Sequence, residues 1–208
     1  ISLNYTGSFT DGFLGTGWEL GGISSISRVN QSIYNDGKSD AIRGNLTDKY
    51  ALDGKRLIIV SGTYGTDNSV YGTEHEGFSK IVAHGSTGTG QGPEYFTVYT
   101  KSGLIYEYGN TDDSKLKDST VILIWKLNRI TDRYSNYITF NYVSSDDELP
   151  VAMIEYTGNS SASQSPFARI LFNYKTRTDV SNYVYGGKKF VRNILLDNIE
   201  IKHNGMPF

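Results

Sequence analysis

Short runs in which apolar and polar residues alternate recur along the chain, and they constrain its fold more than any other feature. In residues 137–143, for example, Ile138, Phe140 and Tyr142 share one face and polar residues lie between them. This period of two is that of a half-buried β-strand. No stretch keeps apolar residues at i, i+3, i+4 and i+7 for three turns. We therefore expect an all-β protein with little helix, built on a large antiparallel sheet of about ten to twelve strands.

Two residue pairs mark tight turns between these runs. Asp53 and Gly54 divide the run 50–60, and an Asp-Gly pair suits a type I′ turn because both central positions of that turn need positive φ. Ser102 and Gly103 divide the aromatic-rich run 95–108 in a similar way. We expect a hairpin at each pair.

The remaining runs and loops predict a single β domain over residues 1–208. Polar loops separate the strands, and none has the length or composition of an interdomain linker. The chain starts within a strand-like run and both of its ends look cut, so we expect it to be a fragment of a much longer protein. Further strands are expected at 121–131, 137–143, 151–156, 167–174 and 190–201, and loops at 30–48, 61–73, 85–92 and 158–166.

Composition agrees with a sheet protein and argues against several functional classes. The chain has 16 tyrosines, 9 phenylalanines and 23 glycines but only 4 prolines; aromatic residues favour strands and glycine serves turns. A formal net charge of -2 gives no electrostatic reason to bind nucleic acid. The lack of cysteine excludes disulfides and thiolate metal sites. No apolar run is long enough to span a membrane.

The sequence predicts no metal site and no cofactor site. None of His75, His84 and His203 lies four residues from another, as paired zinc ligands on a helix would. The acidic clusters at 112–113 and 146–148 lack the spaced carboxylates of a calcium loop, so loop solubility explains them better. The glycine-rich residues 85–92 lack the Gly-Lys-Ser/Thr ending of a phosphate loop.

Glu74 and Glu76 form a Glu-x-Glu pair, which many ADP-ribosyltransferases use beside the nicotinamide ribose. Those enzymes also have an upstream arginine strand and a Ser-Thr-Ser partner, and no convincing equivalent occurs here. We interpret the two carboxylates as the solvent face of a strand whose apolar face starts at Phe78. We therefore expect no catalytic residue in this chain.

Two groups of aromatic residues are candidates for packing or binding roles. The tyrosines and phenylalanine around the second predicted turn could form a carbohydrate-stacking platform, but core packing and cross-strand pairing are the simpler explanation; these residues are Tyr95, Phe96, Tyr99, Tyr106 and Tyr108. Trp18 lies among four glycines in residues 13–28. Because glycine permits close backbone approach, we expect Trp18 to be a buried packing anchor.

Four stretches carry a resemblance to a known family. They read Phe13-Leu-Gly-Thr-Gly-Trp-Glu-Leu-Gly-Gly-Ile-Ser-Ser-Ile-Ser-Arg28, Asp48-Lys-Tyr-Ala-Leu-Asp-Gly-Lys-Arg-Leu57, Tyr71-Gly-Thr-Glu-His-Glu-Gly-Phe-Ser-Lys-Ile81, and Trp125-Lys-Leu-Asn-Arg-Ile-Thr-Asp132 continuing to Asn136-Tyr-Ile-Thr-Phe-Asn-Tyr142. In this order they resemble the N-terminal region of the SpvB / Tc-toxin B-subunit family, which is related to the Rhs (YD-repeat) proteins. Gly72 and Ser135 stand where the family pattern has arginine and glycine.

The resemblance implies a non-catalytic structural domain of an exported bacterial protein, secreted or on the cell surface. In Tc toxins this region contributes to a β-shell that encloses a toxic C-terminal polypeptide and delivers it through a partner subunit. The expected partners are the remaining domains of the same long polypeptide and toxin partner subunits, with no nucleic acid. The alternative is a carbohydrate- or surface-binding β module of a bacterial envelope protein. We also expect the fragment to self-associate through an exposed strand edge.

Overall fold

The computed structural model describes residues 1–9, 11–75, 77–88, 91–143 and 147–207. The all-β expectation is confirmed, because eighteen strands, one four-residue helix and one 3-10 turn make up the regular structure of the described residues. The largest sheet has fourteen strands, more than the expected ten to twelve, and one of them, Val70–Thr73, lies within the expected loop 61–73. The strands are Ser2–Tyr5 (β1), Asp11–Gly12 (β2), Gly15–Thr16 (β3), Trp18–Gly21 (β4), Ser25–Val29 (β5), Lys49–Leu52 (β6), Lys55–Ser61 (β7), Val70–Thr73 (β8), Lys80–His84 (β9), Tyr95–Tyr99 (β10), Ile105–Tyr108 (β11), Lys115–Asp118 (β12), Val121–Thr131 (β13), Asn136–Tyr142 (β14), Val151–Asn159 (β15), Ala168–Tyr185 (β16), Lys188–His203 (β17) and Met206–Pro207 (β18).

Helical structure is limited to two short pieces in loops. Helix α1 (Ile33–Asp36) lies in the long connection between β5 and β6, and the Ser32 side chain caps it by accepting from the backbone N–H of Asn35. A 3-10 turn at Asp112–Ser114 precedes β12. The Ser32 cap satisfies one of the donors that a helix leaves free at its first turn.

Both predicted hairpins are confirmed. Asp53 and Gly54 have φ of 48° and 76° between β6 and β7, as a type I′ turn requires. Between β10 and β11, Gly103 has φ of 86° and the Thr100 N–H donates to the Leu104 carbonyl at 3.0 Å. Each turn therefore sets the register of the strands that it joins.

Eight strands close into a barrel-like ring. Strands β5 to β11 pair in succession, β13 pairs with β5, and a further pairing of β13 with β11 completes the ring. Backbone hydrogen bonds on both sides of β13 contribute to this closure. The Leu127 N–H donates to the Ser24 carbonyl, just before β5, and the Lys126 carbonyl accepts from the Gly109 N–H, just after β11. Closing a sheet removes its exposed edges.

Large aromatic side chains fill the interior of the barrel. Tyr50 stacks on Tyr64 with ring centroids 5.5 Å apart and meets Phe96 and Trp125 edge-on at 5.4 and 5.5 Å. Edge-to-face and stacked pairs at such distances are favourable beyond their buried area. The Trp125 indole N–H donates to the Glu94 carbonyl at 3.1 Å, so burial leaves that donor satisfied.

The sheet continues beyond the ring as an antiparallel meander of β14 to β18. Its long β16–β17 hairpin turns at Gly186 and Gly187, and the Tyr185 hydroxyl there donates to the Arg28 carbonyl of the barrel. The N-terminal segment forms two separate two-stranded sheets, β1–β4 and β2–β3. It is tied to the hairpin by the Arg177 guanidinium, which pairs with Asp11 at 2.7 Å.

Candidate functional site

The expectation that Trp18 is buried is wrong. Its side chain is 46% exposed, and its ring lies against the Tyr5 ring at 5.3 Å between centroids. The neighbouring glycine does serve a close approach, since a Cβ on Gly17 would lie 2.9 Å from Tyr5 Cε2. Gly17 and Gly21 therefore make room for β1 rather than for the indole. The buried tryptophan of the barrel is Trp125.

The two motif residues Arg28 and Asp48 form a fully buried ion pair at 3.0 Å. The Arg28 guanidinium also donates to the Ile122 carbonyl at 2.6 Å and lies 5.5 Å from the centre of the Tyr50 ring. The Asp48 carboxylate accepts further hydrogen bonds from the Arg43 and Gly44 backbone N–H groups, at 2.8 and 2.7 Å. The ion pair thus links β5 to the loop before β6, and both of its charged groups are buried within the chain.

Two other motif aspartates hold turns. Asp53 accepts from the Ser24 hydroxyl at 2.6 Å and from the Ser25 N–H at 2.9 Å, which fixes the β6–β7 turn against β5. Asp132 accepts from the Asn136 side chain and from backbone N–H groups in the β13–β14 turn. These hydrogen bonds, led by that of Asn136, lower the pKa of the Asp132 carboxyl.

Of the Glu-x-Glu pair, the described residue Glu74 does not lie on a strand. Strand β8 ends at Thr73, Glu74 and His75 are exposed after it, and Glu76 lies outside the described residues. The interpretation that an apolar face starts at Phe78 is wrong, because this ring is 66% exposed and carries the Lys101 ammonium 4.9 Å from its centre.

The described acidic clusters and histidines do not gather into a metal site. Asp112 pairs with Lys117 at 3.2 Å, which lowers the pKa of its carboxyl, and Asp113 accepts from the Tyr142 N–H. His84 stacks on Tyr95, and burial lowers the pKa of its imidazole. Asp146 lies outside the described residues. Among the described residues, no three metal-ligating side chains come together.

The aromatic platform divides between core and surface. Phe96 and Tyr108 are buried in the barrel, whereas Tyr99 is exposed. Burial raises the pKa of the Tyr108 hydroxyl well above its usual range, so it stays protonated and donates to the Ser24 hydroxyl at 3.0 Å. Tyr106 pairs with Val98 on the inward face but lies nearer the end of the barrel. Core packing therefore accounts for two of these residues, and they do not form one exposed face.

Tyr106 lines a cavity of about 400 Å³ at the barrel end near the β10–β11 and β13–β14 turns. Ile130 and Ile138 make its apolar wall, and the Tyr137 ring and Asp132 stand at its polar side. Thr157, also in the lining, has φ of 78°, which is rare for a β-branched residue. Barrel mouths commonly bind small ligands. No local sequence pattern indicated this cavity, because its walls come from four strands.

Lys126 on β13 is a titratable group that sequence reasoning passed over. It lines a second, smaller cavity between the barrel wall and the N-terminal segment. Burial lowers the pKa of its ammonium, while the charge of Glu148 opposes that shift. A lone lysine between Trp125 and Leu127, in an otherwise apolar run, was the signal that could have identified it.

Comparison with known families supports the sequence resemblance. A family model described as SpvB, Salmonella virulence plasmid 65kDa B protein, matches residues 1–190. No curated protein sequence matches the chain. No helix in the described part of the chain is long and apolar enough to cross a membrane.

Solved structures share the fold at low sequence identity. The N-terminal domain of effector protein SpvB from Salmonella typhimurium strain LT2 matches with 15% identity and a TM-score of 0.70, covering 97% of this chain and 81% of that one. The TcdB2-TccC3 complex matches with 15% identity and a TM-score of 0.72, and the Photorhabdus luminescens Tc holotoxin pore with 14% and 0.73. Each of these two matches covers 97% of this chain and 12% of the toxin chain. The expected SpvB and Tc-toxin resemblance is confirmed.

Proposed function

The chain belongs to the SpvB family, and from this premise we propose that it is a non-catalytic structural β domain of an exported, toxin-related bacterial protein. In this proposal the domain contributes to a shell that encloses or delivers a C-terminal toxic polypeptide. It is one domain of a longer protein, secreted or on the cell surface. Its partners are the remaining domains of that polypeptide and toxin partner subunits.

One observation carries the proposal: the charged motif residues bind other parts of the chain. Arg28 and Asp48 pair inside the barrel, and Asp53 and Asp132 hold turns. A catalytic carboxylate would need free lone pairs facing a substrate, whereas these accept hydrogen bonds from the chain itself. The same fold recurs as 12% of the TcdB2-TccC3 chain, which fits one part of a large assembly.

The shell proposal is tested by protease protection in the full-length protein. We expect its C-terminal polypeptide to resist trypsin, and Arg28→Met to remove that protection because the barrel wall loses its buried pair. Arg43→Met is the matched control, since Arg43 also pairs with an aspartate, at 2.7 Å, but at the surface. If trypsin digests the C-terminal polypeptide of the unmodified protein as fast as it digests an unfolded chain, the shell proposal is refuted.

The non-catalytic part is tested with a NAD glycohydrolase assay on this chain and its Glu76→Gln variant. We expect no turnover by either, because Glu74 is exposed after β8 and the companion motifs are absent from the sequence. Turnover that a single Glu76→Gln substitution abolishes would make this chain an enzyme.

The alternative, a carbohydrate-binding module, is favoured by the barrel-end cavity. Tyr106 and Tyr137 contribute aromatic surface to its lining, and Asp132 stands at its polar side. A glycan array probed with the full-length protein separates the two functions. Glycan binding that Tyr137→Ala removes, without cargo retention, would favour the alternative over the shell.

A further inference from the structure

Side chains from three neighbouring strands face the barrel-end cavity in two rows. The inner row consists of register partners on β11, β13 and β14, which are Tyr106, Ile130 and Ile138. Residues two apart on a strand share a face, so the row nearer the turns consists of Leu104, Asp132 and Asn136. All six line the cavity, which measures about 400 Å³. Its inner end is therefore largely apolar, and a carboxylate stands towards its outer end.

A strained β-bulge in β15 completes the wall. The β14–β15 register shifts so that Tyr156 and Thr157 stand opposite the single residue Ile138. Thr157 lines the cavity with φ of 78°, and its hydroxyl donates to the Tyr156 carbonyl and accepts from the Phe167 N–H. Strain of this kind and β-bulges both concentrate at binding sites. The bulge therefore points to a ligand independently of the shape of the cavity.

Asp132 is the one charged residue in the described lining. Its Oδ1 accepts from the backbone N–H groups of Tyr134 and Asn136, and its Oδ2 accepts from the Asn136 amide at 2.9 Å. A carboxylate has about four acceptor positions, so Oδ2 keeps one that these three donors do not fill. No ion pair of the described residues, which include every lysine and arginine of the chain, involves this carboxylate. The neighbouring Arg133 donates instead to the Ser102 carbonyl at 3.1 Å.

The Asn136 amide and the Thr157 hydroxyl already have partners in the chain. The amide donates to Asp132 and accepts from the Asn159 side chain at 2.8 Å. A sugar ring can lie on aromatic surface, but it also brings several hydroxyls, and each one that is buried without a partner costs free energy. The lining suits an apolar ring with one positively charged donor better, because Asp132 supplies one open acceptor and a negative charge.

We propose that the barrel-end cavity binds a small arylalkylamine, in which a short alkyl linker joins an aromatic ring to a protonated amine. The ring lies against the inner row, and the ammonium donates to Asp132 Oδ2. Two residues along a strand cover about 7 Å, which a short linker spans. The cavity volume lies within the range of roughly 300 to 1,000 Å³ that is usual for small-molecule sites. The site is independent of the shell proposal, because it depends only on this cavity.

The test compares three ligands that share a phenyl ring and a short linker but differ in charge: 2-phenylethylamine, 2-phenylethanol and 3-phenylpropanoate. Saturation-transfer difference NMR on the whole chain at neutral pH gives their dissociation constants. We expect the amine to bind at least about tenfold tighter than the carboxylate, with the alcohol between them, because hydrogen bonds between charged groups are the stronger ones. Equal affinity of amine and carboxylate, or no binding of the amine at millimolar concentration, would overturn the proposal.

Variants locate the site. Asp132→Asn keeps an oxygen for the N–H groups of the turn but removes the charge, so we expect the amine to bind no tighter than the alcohol. Asp112→Asn is the matched control: it changes the net charge equally, pairs with Lys117 outside the cavity, and should leave all three affinities unchanged. Ile138→Trp, shown to be folded by circular dichroism, should fill the cavity and remove binding of all three ligands.

Three results with the variants and with a sugar would also overturn the proposal. An amine preference that persists in Asp132→Asn would mean that another group recognises the charge. Binding that persists in folded Ile138→Trp would place the ligands elsewhere. Cellobiose that displaces the amine and binds more tightly would make the cavity a glycan site.

Discussion

At the scale of single residues, the barrel tolerates the buried Arg28 because the N–H groups of its guanidinium have hydrogen-bond acceptors within the chain. Carbonyl oxygens of Ile122 and Asn45 accept from the guanidinium, and the Asp48 carboxylate balances its charge. The flat group also lies against the Tyr50 and Trp125 rings, at 5.5 and 5.6 Å. A lysine has one compact ammonium and could not bridge these partners.

Arg28→Met is expected to lower the free energy of unfolding by about 3 to 5 kcal/mol, because it leaves the Asp48 charge buried and unpaired. Urea unfolding followed by tryptophan fluorescence measures the change. Arg43→Met is the matched control: its guanidinium pairs with Asp40 at the surface, where solvent screens the interaction, and we expect no measurable loss. Equal effects of the two substitutions would contradict a stabilising role for the buried Arg28–Asp48 ion pair.

The two tryptophans should differ sharply in what they contribute. Trp125→Ala removes a fully buried ring and is expected to cost about 3 to 5 kcal/mol. Trp18→Ala removes a ring that is 46% exposed, so we expect a loss of about 1 kcal/mol or less. Urea unfolding of both variants in parallel checks the order. A larger loss for Trp18 would restore the packing role that its glycine neighbours suggested.

At the scale of elements, turns whose glycines have positive φ differ in how much space surrounds them. Gly54 and Gly109 have φ of 76° and 73°, so alanine strains the backbone similarly at both. A Cβ at Gly54 meets nothing within 4 Å, whereas one at Gly109 would lie 2.3 Å from Trp125 Cδ1. The second turn therefore depends on the absence of a side chain as well as on φ.

We expect Gly54→Ala to cost about 1 kcal/mol from backbone strain alone. Gly109→Ala should cost a further 1 to 3 kcal/mol or so, because the Trp125 ring must shift within a packed core. The thermal unfolding midpoints of the two variants give the comparison. Equal midpoints would mean that the ring moves aside freely and that the interior of the barrel is loosely packed.

Local pattern predicted the strands well where one face is buried, and less well elsewhere. Strand β13 was expected at 121–131 and found at Val121–Thr131. The expected strand at 167–174 runs on to Tyr185 as β16, through a polar stretch with no alternation. In that extension β16 pairs with β17, and its Arg177 reaches Asp11 across the fold. Such long-range contacts leave no mark in a local sequence window.

At the scale of the whole molecule, the sequence indicated a β-shell fold through its motifs but not how the sheet closes. Closure needs β13 to pair with both β5 and β11, and the same strand also pairs with β12 and β14. Periodicity shows that a strand has a buried face and says nothing about which neighbours flank it. For the same reason, the two cavities, whose walls come from distant segments, could not be predicted.

The closed ring protects its strands, whereas in the described part of the chain the outer edge of β17 is only partly covered, at Leu196, whose N–H donates to the N-terminal segment at 2.7 Å. Strand β17 pairs with β16 along most of its length, and with β18 only at Lys202 and His203. Ile199 and Ile201 of this strand are 37% and 48% exposed. Unpaired backbone groups beside exposed apolar side chains are a template for pairing with another chain. We therefore predict that the 208-residue chain self-associates through β17.

Light scattering from low to high micromolar concentration measures this association. Ile199→Lys places a charge on the open edge and is expected to return the chain to a monomer. Ile58→Lys is the matched control, because Ile58 is similarly exposed, at 41%, but lies on β7 within the closed ring. Association that persists in Ile199→Lys, or disappears equally in both variants, would place the contact elsewhere. A chain that is monomeric at every concentration would show that β17 needs no neighbour, against the expectation that later strands of the shell cover it.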